Sequence, residues 1–162
     1  MKNELEYLVW LTESEFRDNY FNGASMLETL QAFTVGEAIS SKSFEKYSAW
    51  GIALHVMFWK FDSARKMGLE DSTLYPYQEA DWPALPASLI AESWQQTIDT
   101  LVSVHEVYLG LIKKLPELQL SAEMPGYNRS WGKVLFGIAT HDTFHTAQMR
   151  SMGVKHFNRE QT

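Results

Sequence analysis

Two histidines spaced four residues apart carry the clearest chemical signal of the chain, in the segment His-Asp-Thr-Phe-His that runs from His141 to His145. On a helix, residues four apart share one face, so two imidazoles can approach one metal ion from the same side. The same stripe holds Val134, Ile138 and Gln148, which points the polar side chains inward. A buried polar group without a partner costs about 1–3 kcal/mol. A divalent metal with bound water would satisfy the three polar side chains of this stripe, His141, His145 and Gln148.

A third ligand has to come from another helix, and two histidines qualify. His55 shares a face with Ile52 and Phe58, and His105 lies in the apolar stripe of its own segment. Both therefore point inward, and periodicity does not choose between them. His156 lies in a polar tail, where we expect it to be solvated.

Side chains near these histidines have predicted roles of their own. Asp142 lies at the edge of the inward stripe and either holds a ligand or water at the metal or is an exposed carboxylate. Gln148 either bonds a ligand and closes the pocket or makes a structural hydrogen bond. We predict that Asp62 pairs with a Lys or Arg near the end of its helix. For Trp59 and Trp82 we favour core packing over a role as walls of the site.

Four long helices are predicted to position these residues, because apolar residues recur with a helical period. Gly23 interrupts the first, Ser48 is the N-cap of the second, and Gly68 follows its last turn. Thr34 and Glu37 form a capping-box pattern that starts an additional short helix. The predicted long helices cover 13–32, 48–67, 87–115 and 130–153, with a loop at 116–129 and no convincing strand.

The segment 69–86 differs from the rest, since it holds three prolines and three large aromatic residues. Prolines at this density exclude a continuous helix. A loop of this length in a compact domain is uncommon and is often functional. It is long enough to cross from one end of a helix bundle to the other, which would make the second and third helices parallel.

Composition limits the classes of protein that the chain can represent. Its 162 residues suggest a single domain over 1–162, with 45% hydrophobic residues and no cysteine. The net charge of −6 argues against general nucleic-acid binding. No apolar run is long enough for a membrane span, and the first ten residues lack the apolar core of a signal peptide. Together with the helical periodicity of the chain, these limits lead us to expect an all-α, cytoplasmic protein.

The order and spacing of these motifs resemble the DinB/YfiT-like superfamily of metal-binding four-helix bundles. The resemblance is clearest in the last helix, where Ser130 and Trp131 precede the His-Asp-x-x-His motif and Gln148 and Gly153 follow it. The segment from Gly51 to Trp59, with one histidine ahead of a Trp, is similar to the second helix of the family. Ala147 departs from the pattern, since many members have Gly there.

The resemblance implies more than the residues alone. It implies an up-down-down-up bundle, a homodimer, and the ligand set His55, His141 and His145, with His105 excluded. It also implies an activity, because relatives include transferases and isomerases that use small thiols such as bacillithiol or mycothiol.

Three histidine ligands leave an open position on the metal, which is typical of catalysis or substrate binding. Zinc or nickel suits imidazole, and manganese or iron can also bind it. We predict a metal-dependent enzyme acting on a small molecule, with a thiol S-transferase favoured and Asp142 and Gln148 as candidate catalytic residues. The alternatives are a hydrolase that uses metal-bound water and a metal-binding stress-response protein without turnover. A zinc peptidase is disfavoured, because Asp142 is shorter than the usual Glu and no third ligand follows.

Overall fold

The computed structural model describes residues 3–18, 23–40 and 43–152, and within these ranges the chain is 64% helical. This confirms the all-α class. The helices are α1 (Glu4–Phe16), α2 (Met26–Gln31), α3 (Val35–Ile39), α4 (Ala49–Lys66), α5 (Ala91–Ile112) and α6 (Trp131–Arg150). The strands β1 (Glu123–Met124) and β2 (Arg129–Ser130) form an antiparallel pair.

Helix α4, which carries His55, begins and ends where the sequence predicts. The Ser48 hydroxyl accepts a hydrogen bond from the amide of Gly51 at 3.1 Å, which satisfies one of the free donors of the first turn. Gly68 follows the last turn with φ of +102°, a conformation that a residue with a Cβ rarely adopts. The short helix α3 begins at the predicted Thr34–Glu37 capping box.

Helix α6, which carries His141 and His145, begins directly after β2. The Ser130 hydroxyl accepts from the amide of Lys133, so the predicted start is confirmed. The segment predicted as a loop at 116–129 contains β1 and a 3₁₀ helix at Glu117–Ser121. That 3₁₀ helix packs against α6 so closely that a Cβ on Gly132 would lie 3.1 Å from the Leu120 carbonyl oxygen. Residue 153, the predicted end of the helix, lies outside the described ranges.

The predicted first helix at 13–32 is wrong. Helix α1 begins nine residues earlier at Glu4 and ends at Phe16, and α2 begins at Met26. Each helix starts at its own capping box, Asn3 with Glu6 and Ser25 with Glu28. Gly23 has φ of +96° and so lies in a turn rather than in a kinked helix.

Helices α4 and α5 run in the same direction, as the long connection between them requires. The Trp50 and Trp94 rings lie 5.2 Å apart near the start of both helices, and the Lys60 ammonium lies 5.4 Å from the Tyr108 ring further along. The connecting segment has only a 3₁₀ turn at Ser72–Leu74, and α5 begins four residues later than predicted. The crossover loop is therefore confirmed, whereas the complete up-down-down-up bundle stays a prediction.

The core consists of two clusters of buried apolar side chains. The larger cluster is built around α4, α5 and the crossover segment, and the smaller one around α1, α6 and the ends of α4 and α5. No helix in the described ranges is long and apolar enough to cross a membrane.

Candidate metal centre

Three histidines from two helices meet at one point. Nε2 of His141 lies 3.0 Å from Nε2 of His55 and 2.9 Å from Nε2 of His145, and one nitrogen from each ring lies within 4.8 Å of the others. Two nitrogens bound tetrahedrally to one zinc at about 2.0–2.1 Å are roughly 3.3 Å apart. The three imidazoles therefore form a group that could hold a metal ion, with their nitrogens close to the spacing that coordination requires.

Residues of the crossover segment hold the His55 ring on the side opposite to the cluster, through its Nδ1. Its Nδ1 lies 2.7 Å from the carbonyl oxygen of Asp81 and 2.9 Å from the Asp81 carboxylate, and both of these atoms can only accept. Nδ1 therefore carries the proton. The Trp82 ring stacks on the imidazole at 3.9 Å, and the Trp59 indole N–H donates to the Asp81 carboxylate at 2.6 Å. These contacts leave Nε2 of His55 as a bare lone pair directed at the cluster.

His145 is fixed in the same tautomer by Gln148. The Gln148 amide nitrogen donates to the carboxylate of Glu45, which can only accept, and this turns the amide oxygen toward His145. That oxygen lies 2.8 Å from Nδ1 of His145, so Nδ1–H donates to it. Nε2 of His145 is therefore also bare. Hydrogen bonds that orient the far nitrogen of an imidazole are typical of metal ligands.

The proton count around His141 favours a cation. Its Nε2 faces two nitrogens that have no proton to donate, and one N–H can serve only one of them at good geometry. The other contact would bring two lone pairs to within about 3 Å of each other, which is unfavourable in a buried site. A divalent metal among the three lone pairs removes this conflict. The residues present therefore fit the ion that the sequence predicts.

Burial keeps the three imidazoles neutral, which is the form that binds metal. Burial lowers the pKa of His141 to about 3, and the neighbouring His145 and His55 lower it further. Burial also lowers the pKa of His145 to about 4 against the opposing hydrogen bond to Gln148. The pKa of His55 is lowered by burial too, although Asp81 opposes the shift. Protons therefore compete weakly for these nitrogens near neutral pH.

A cavity of about 620 Å³ connects this centre to the surface between α4 and α6. Of the three histidines only His141 lines it, whereas His55 and His145 are 5% and 3% exposed. Trp59 and Ile138 line its apolar part. A molecule of moderate size in this cavity would therefore lie against His141, one of the three candidate metal ligands.

Asp142, a predicted catalytic residue, faces a different partner. Its carboxylate lies 2.6 Å from the Lys60 ammonium, and both side chains are fully buried. The ammonium also lies 5.2 Å from the Phe16 ring and 5.4 Å from the Tyr108 ring. The structure thus gives the carboxylate to Lys60 and not to a histidine of the cluster, and the alternative that it is exposed is wrong. Its catalytic role stays a prediction.

His105 is buried as predicted but is not part of the cluster. Its Nε2 donates to the Glu13 carboxylate at 3.0 Å, and its ring stacks on Phe16 at 3.8 Å. Burial lowers the pKa of His105 to about 3, so the ring is neutral. The residues alone left His55 and His105 open as third ligand, and the structure brings only His55 to His141 and His145.

The remaining predicted residues have mixed outcomes. Asp62 pairs with Lys66 at 3.8 Å and accepts from the Tyr127 hydroxyl at 2.6 Å, which confirms the predicted ion pair. Trp82 packs against the core as predicted and also covers His55. Core packing is wrong for Trp59, which lines the cavity. His156 lies outside the described residues.

Sequence reasoning missed the two carboxylate residues that fix the ligands. Asp81 lies in the proline-rich crossover and Glu45 precedes α4, so no helical spacing links either one to the histidines. The density of aromatic residues around Asp81 was the available signal, since such a loop packs against the core instead of extending into solvent.

Comparisons of the chain with protein-family models, with curated proteins and with solved structures gave no significant match. The interpretation of the site therefore depends on its own geometry.

Proposed function

We propose that this protein is a divalent-metal-dependent enzyme of the DinB/YfiT-like type, and that it transfers a small thiol to an electrophile. The observation that carries the proposal is the convergence of three oriented, neutral imidazoles, one of which lines an open cavity. Three protein ligands leave at least one position for an external ligand, which distinguishes catalytic from structural sites.

The chain's own residues would bind the ion and expose one side of it. His55 and His145 have their far nitrogens tied, so their rings are held in place while a ligand enters or leaves. His141 lies between them and faces the cavity. A metal bound there lowers the pKa of a coordinated thiol or water toward neutrality. Since the chain has no cysteine, the thiol has to be a separate small molecule.

The transfer itself needs no further cofactor. With an aryl chloride as electrophile, the sulfur forms a bond to the ring carbon and chloride leaves with the electron pair of the broken C–Cl bond. The thiol proton passes to solvent. The cavity would hold the apolar part of the electrophile against Trp59 and Ile138, close to the sulfur.

Hydrolysis by metal-bound water is the second candidate, favoured by the same open position. A peptidase of the His-Glu-x-x-His kind is not supported, since the base would be Asp142 and its carboxylate is buried against Lys60. The complete up-down-down-up bundle, the homodimer and the cytoplasmic location belong to the same proposal. The parallel course of α4 and α5 supports the bundle.

The test loads the purified protein with zinc or nickel, confirms about one ion per chain by elemental analysis, and then follows thiol transfer from bacillithiol to 1-chloro-2,4-dinitrobenzene by absorbance. We expect a metal-dependent rate above the uncatalysed background. A loaded protein with no such rate, but with ester hydrolysis, would favour the second candidate. A loaded protein with neither activity would favour a metal-binding protein without turnover.

A blocking variant connects the rate to the cavity. Gly137 lines the cavity, and a Cβ there would meet no atom within 4 Å, so Gly137→Phe is expected to fill the space without disturbing the fold. We expect it to keep the metal and lose the rate. Gly110→Phe is the matched control, because a Cβ at this helical glycine also meets nothing within 4 Å and the residue does not line the cavity.

A further inference from the structure

The outer part of the cavity is basic in a protein that is acidic as a whole. Lys66, Arg129 and Lys133 line it, together with one acidic side chain, Asp62. Their formal charges leave an excess of two positive charges, whereas the whole chain has a net charge of −6. A concentration of opposite charge at a concave surface attracts ligands of the complementary sign.

Two of these cations are available to a ligand. Within the described ranges, Arg129 and Lys133 make no ion pair, whereas Lys66 lies 3.8 Å from the Asp62 carboxylate. Asp62 itself accepts a hydrogen bond from the Tyr127 hydroxyl at 2.6 Å, which reduces its ability to neutralise its neighbours. The unpaired positive charge therefore belongs to Arg129 and Lys133.

The backbone places these cations at a fixed distance from the metal centre. Lys133 and His141 both line the cavity from α6, eight residues and thus about 12 Å apart along the helix axis. Arg129 lies in β2, directly before this helix. Apolar side chains of the cavity, among them Val134 and Ile138, lie between the two ends. The cavity therefore has cations toward one end, apolar side chains in the middle and His141, one of the three candidate metal ligands, toward the other end.

We propose that the cavity selects small organic anions, and that Arg129 and Lys133 bind a carboxylate or phosphate group of the substrate while its reactive group lies at the metal centre. The inference rests on the proposed function and names the substrate class for the same site. An Arg next to a Lys suits this task, because the guanidinium offers paired donors to a planar anion and the ammonium adds a mobile point charge.

The experiment measures binding, so that turnover is not needed. Cobalt(II)-loaded protein is titrated with mercaptosuccinate, a thiol with two carboxylates, and with 1-thioglycerol, a neutral thiol. The charge-transfer absorbance between thiolate and cobalt gives each Kd. For each protein variant we compare the ratio of the two dissociation constants, that of 1-thioglycerol over that of mercaptosuccinate. The two thiols differ in reactivity and in their attraction to the metal, but these differences are the same in every variant. A change of the ratio between variants therefore reports on the anion site.

We expect the wild type to bind mercaptosuccinate more tightly than 1-thioglycerol. In the double variant Arg129→Gln/Lys133→Gln the ratio of the two dissociation constants should fall at least tenfold, with the cobalt content unchanged. Lys114→Gln is the matched control, since Lys114 is exposed and does not line the cavity. Its ratio should equal that of the wild type. High salt should reduce the preference of the wild type more than that of the double variant.

The outcomes separate this inference from the proposed function. Equal ratios in the wild type and the double variant would overturn the anion site while the thiol proposal stands. If neither thiol gives a charge-transfer band on loaded protein, the thiol proposal fails. The anion site is then judged by succinate, which shifts the cobalt d–d bands when it binds. If the double variant binds succinate tenfold more weakly than the wild type does, the anion site is supported. If the two proteins bind succinate equally, the anion site is rejected.

Discussion

Two buried histidine environments in this protein look alike in the sequence and differ in the structure. His105 and His145 both lie on inward stripes of long helices, and burial lowers both pKa values, to about 3 and about 4. Nε2 of His105 is used by the Glu13 carboxylate, and its Nδ1 is buried without a partner in the described part of the chain. In His145 the roles of the two ring nitrogens are reversed, because Nδ1 bonds Gln148 and Nε2 is directed at another histidine, His141.

The difference shows that burial does not make a ligand. The core histidine His105 donates one hydrogen bond to a carboxylate and stacks on an aromatic ring. In the candidate metal ligands His55 and His145 the Nε2 lone pair is free, and neighbouring residues hold Nδ1 by a hydrogen bond. At the cluster that arrangement occurs twice, through Asp81 and through Gln148.

The largest predicted effect separates the two environments directly. His55→Ala should reduce metal binding from about one ion per chain to nearly none, because losing one of three ligands removes most of the coordination energy. His105→Ala should keep the metal but lose about 2–4 kcal/mol of stability through the cavity it leaves. Elemental analysis after desalting and urea unfolding measure the two effects. Metal loss in the His105 variant together with retention in the His55 variant would reverse the ligand assignment.

The next prediction concerns the ion pair that lies between the two environments. Lys60→Met leaves the Asp142 carboxylate buried without its partner, and we expect a loss of about 3–5 kcal/mol in the free energy of unfolding. The double variant Lys60→Met/Asp142→Leu should recover most of that loss, since no charge is then left uncompensated. Denaturant unfolding of the apoprotein measures both.

This pair also tests the catalytic assignment of Asp142. If the carboxylate is structural, the double variant should bind metal and catalyse thiol transfer as the wild type does. A folded double variant with full metal content and a strongly reduced rate would instead assign Asp142 a part in the reaction.

A smaller effect is expected from the hydrogen bond that orients His145. Gln148→Leu removes the acceptor of Nδ1–H, and such partners contribute about 10–100-fold to metal affinity. Titration against a competing chelator measures the change. Gln95→Leu is the control, since Gln95 is an exposed residue of α5 that bonds Asp99. An unchanged affinity in the Gln148 variant would mean that packing alone orients the imidazole.

The smallest predicted effect is the response of metal affinity to mild acid. Three solvated histidines with a pKa of about 6.5 would lose about 500-fold in apparent affinity between pH 7 and pH 5.5, through competition with protons. The lowered pKa values of the cluster should limit the loss to less than about tenfold. The same shifts make the apoprotein less stable as pH falls below 6.5, because the unfolded chain then binds more protons. Chelator titrations at both pH values measure the affinity.

The parts of the site that follow helical periodicity could be predicted from the sequence. His141 and His145 needed only the spacing of four, and α4 and the start of α6 were marked by Ser48, Gly68 and Ser130. These signals are local, since each depends on residues within one or two turns of a helix.

The parts that depend on contacts distant in sequence could not be predicted. The choice between His55 and His105 is made by Asp81, 26 residues after His55, and by Glu13, 92 residues before His105. The partner of Asp142 is 82 residues away. The first helix is a different case, because the Asn3–Glu6 capping box that starts it is a local signal, and the prediction of a helix over 13–32 overlooked it.

The crossover segment has a consequence for kinetics. Asp81 and Trp82 cover the far side of His55, yet they belong to a connection without regular helix, and the Asp81 side chain is 54% exposed. Segments of this kind open locally at a lower free energy than the helices they join. We therefore expect the crossover segment to open before the helices do, and the rate at which His55 could release a bound metal ion would follow that opening.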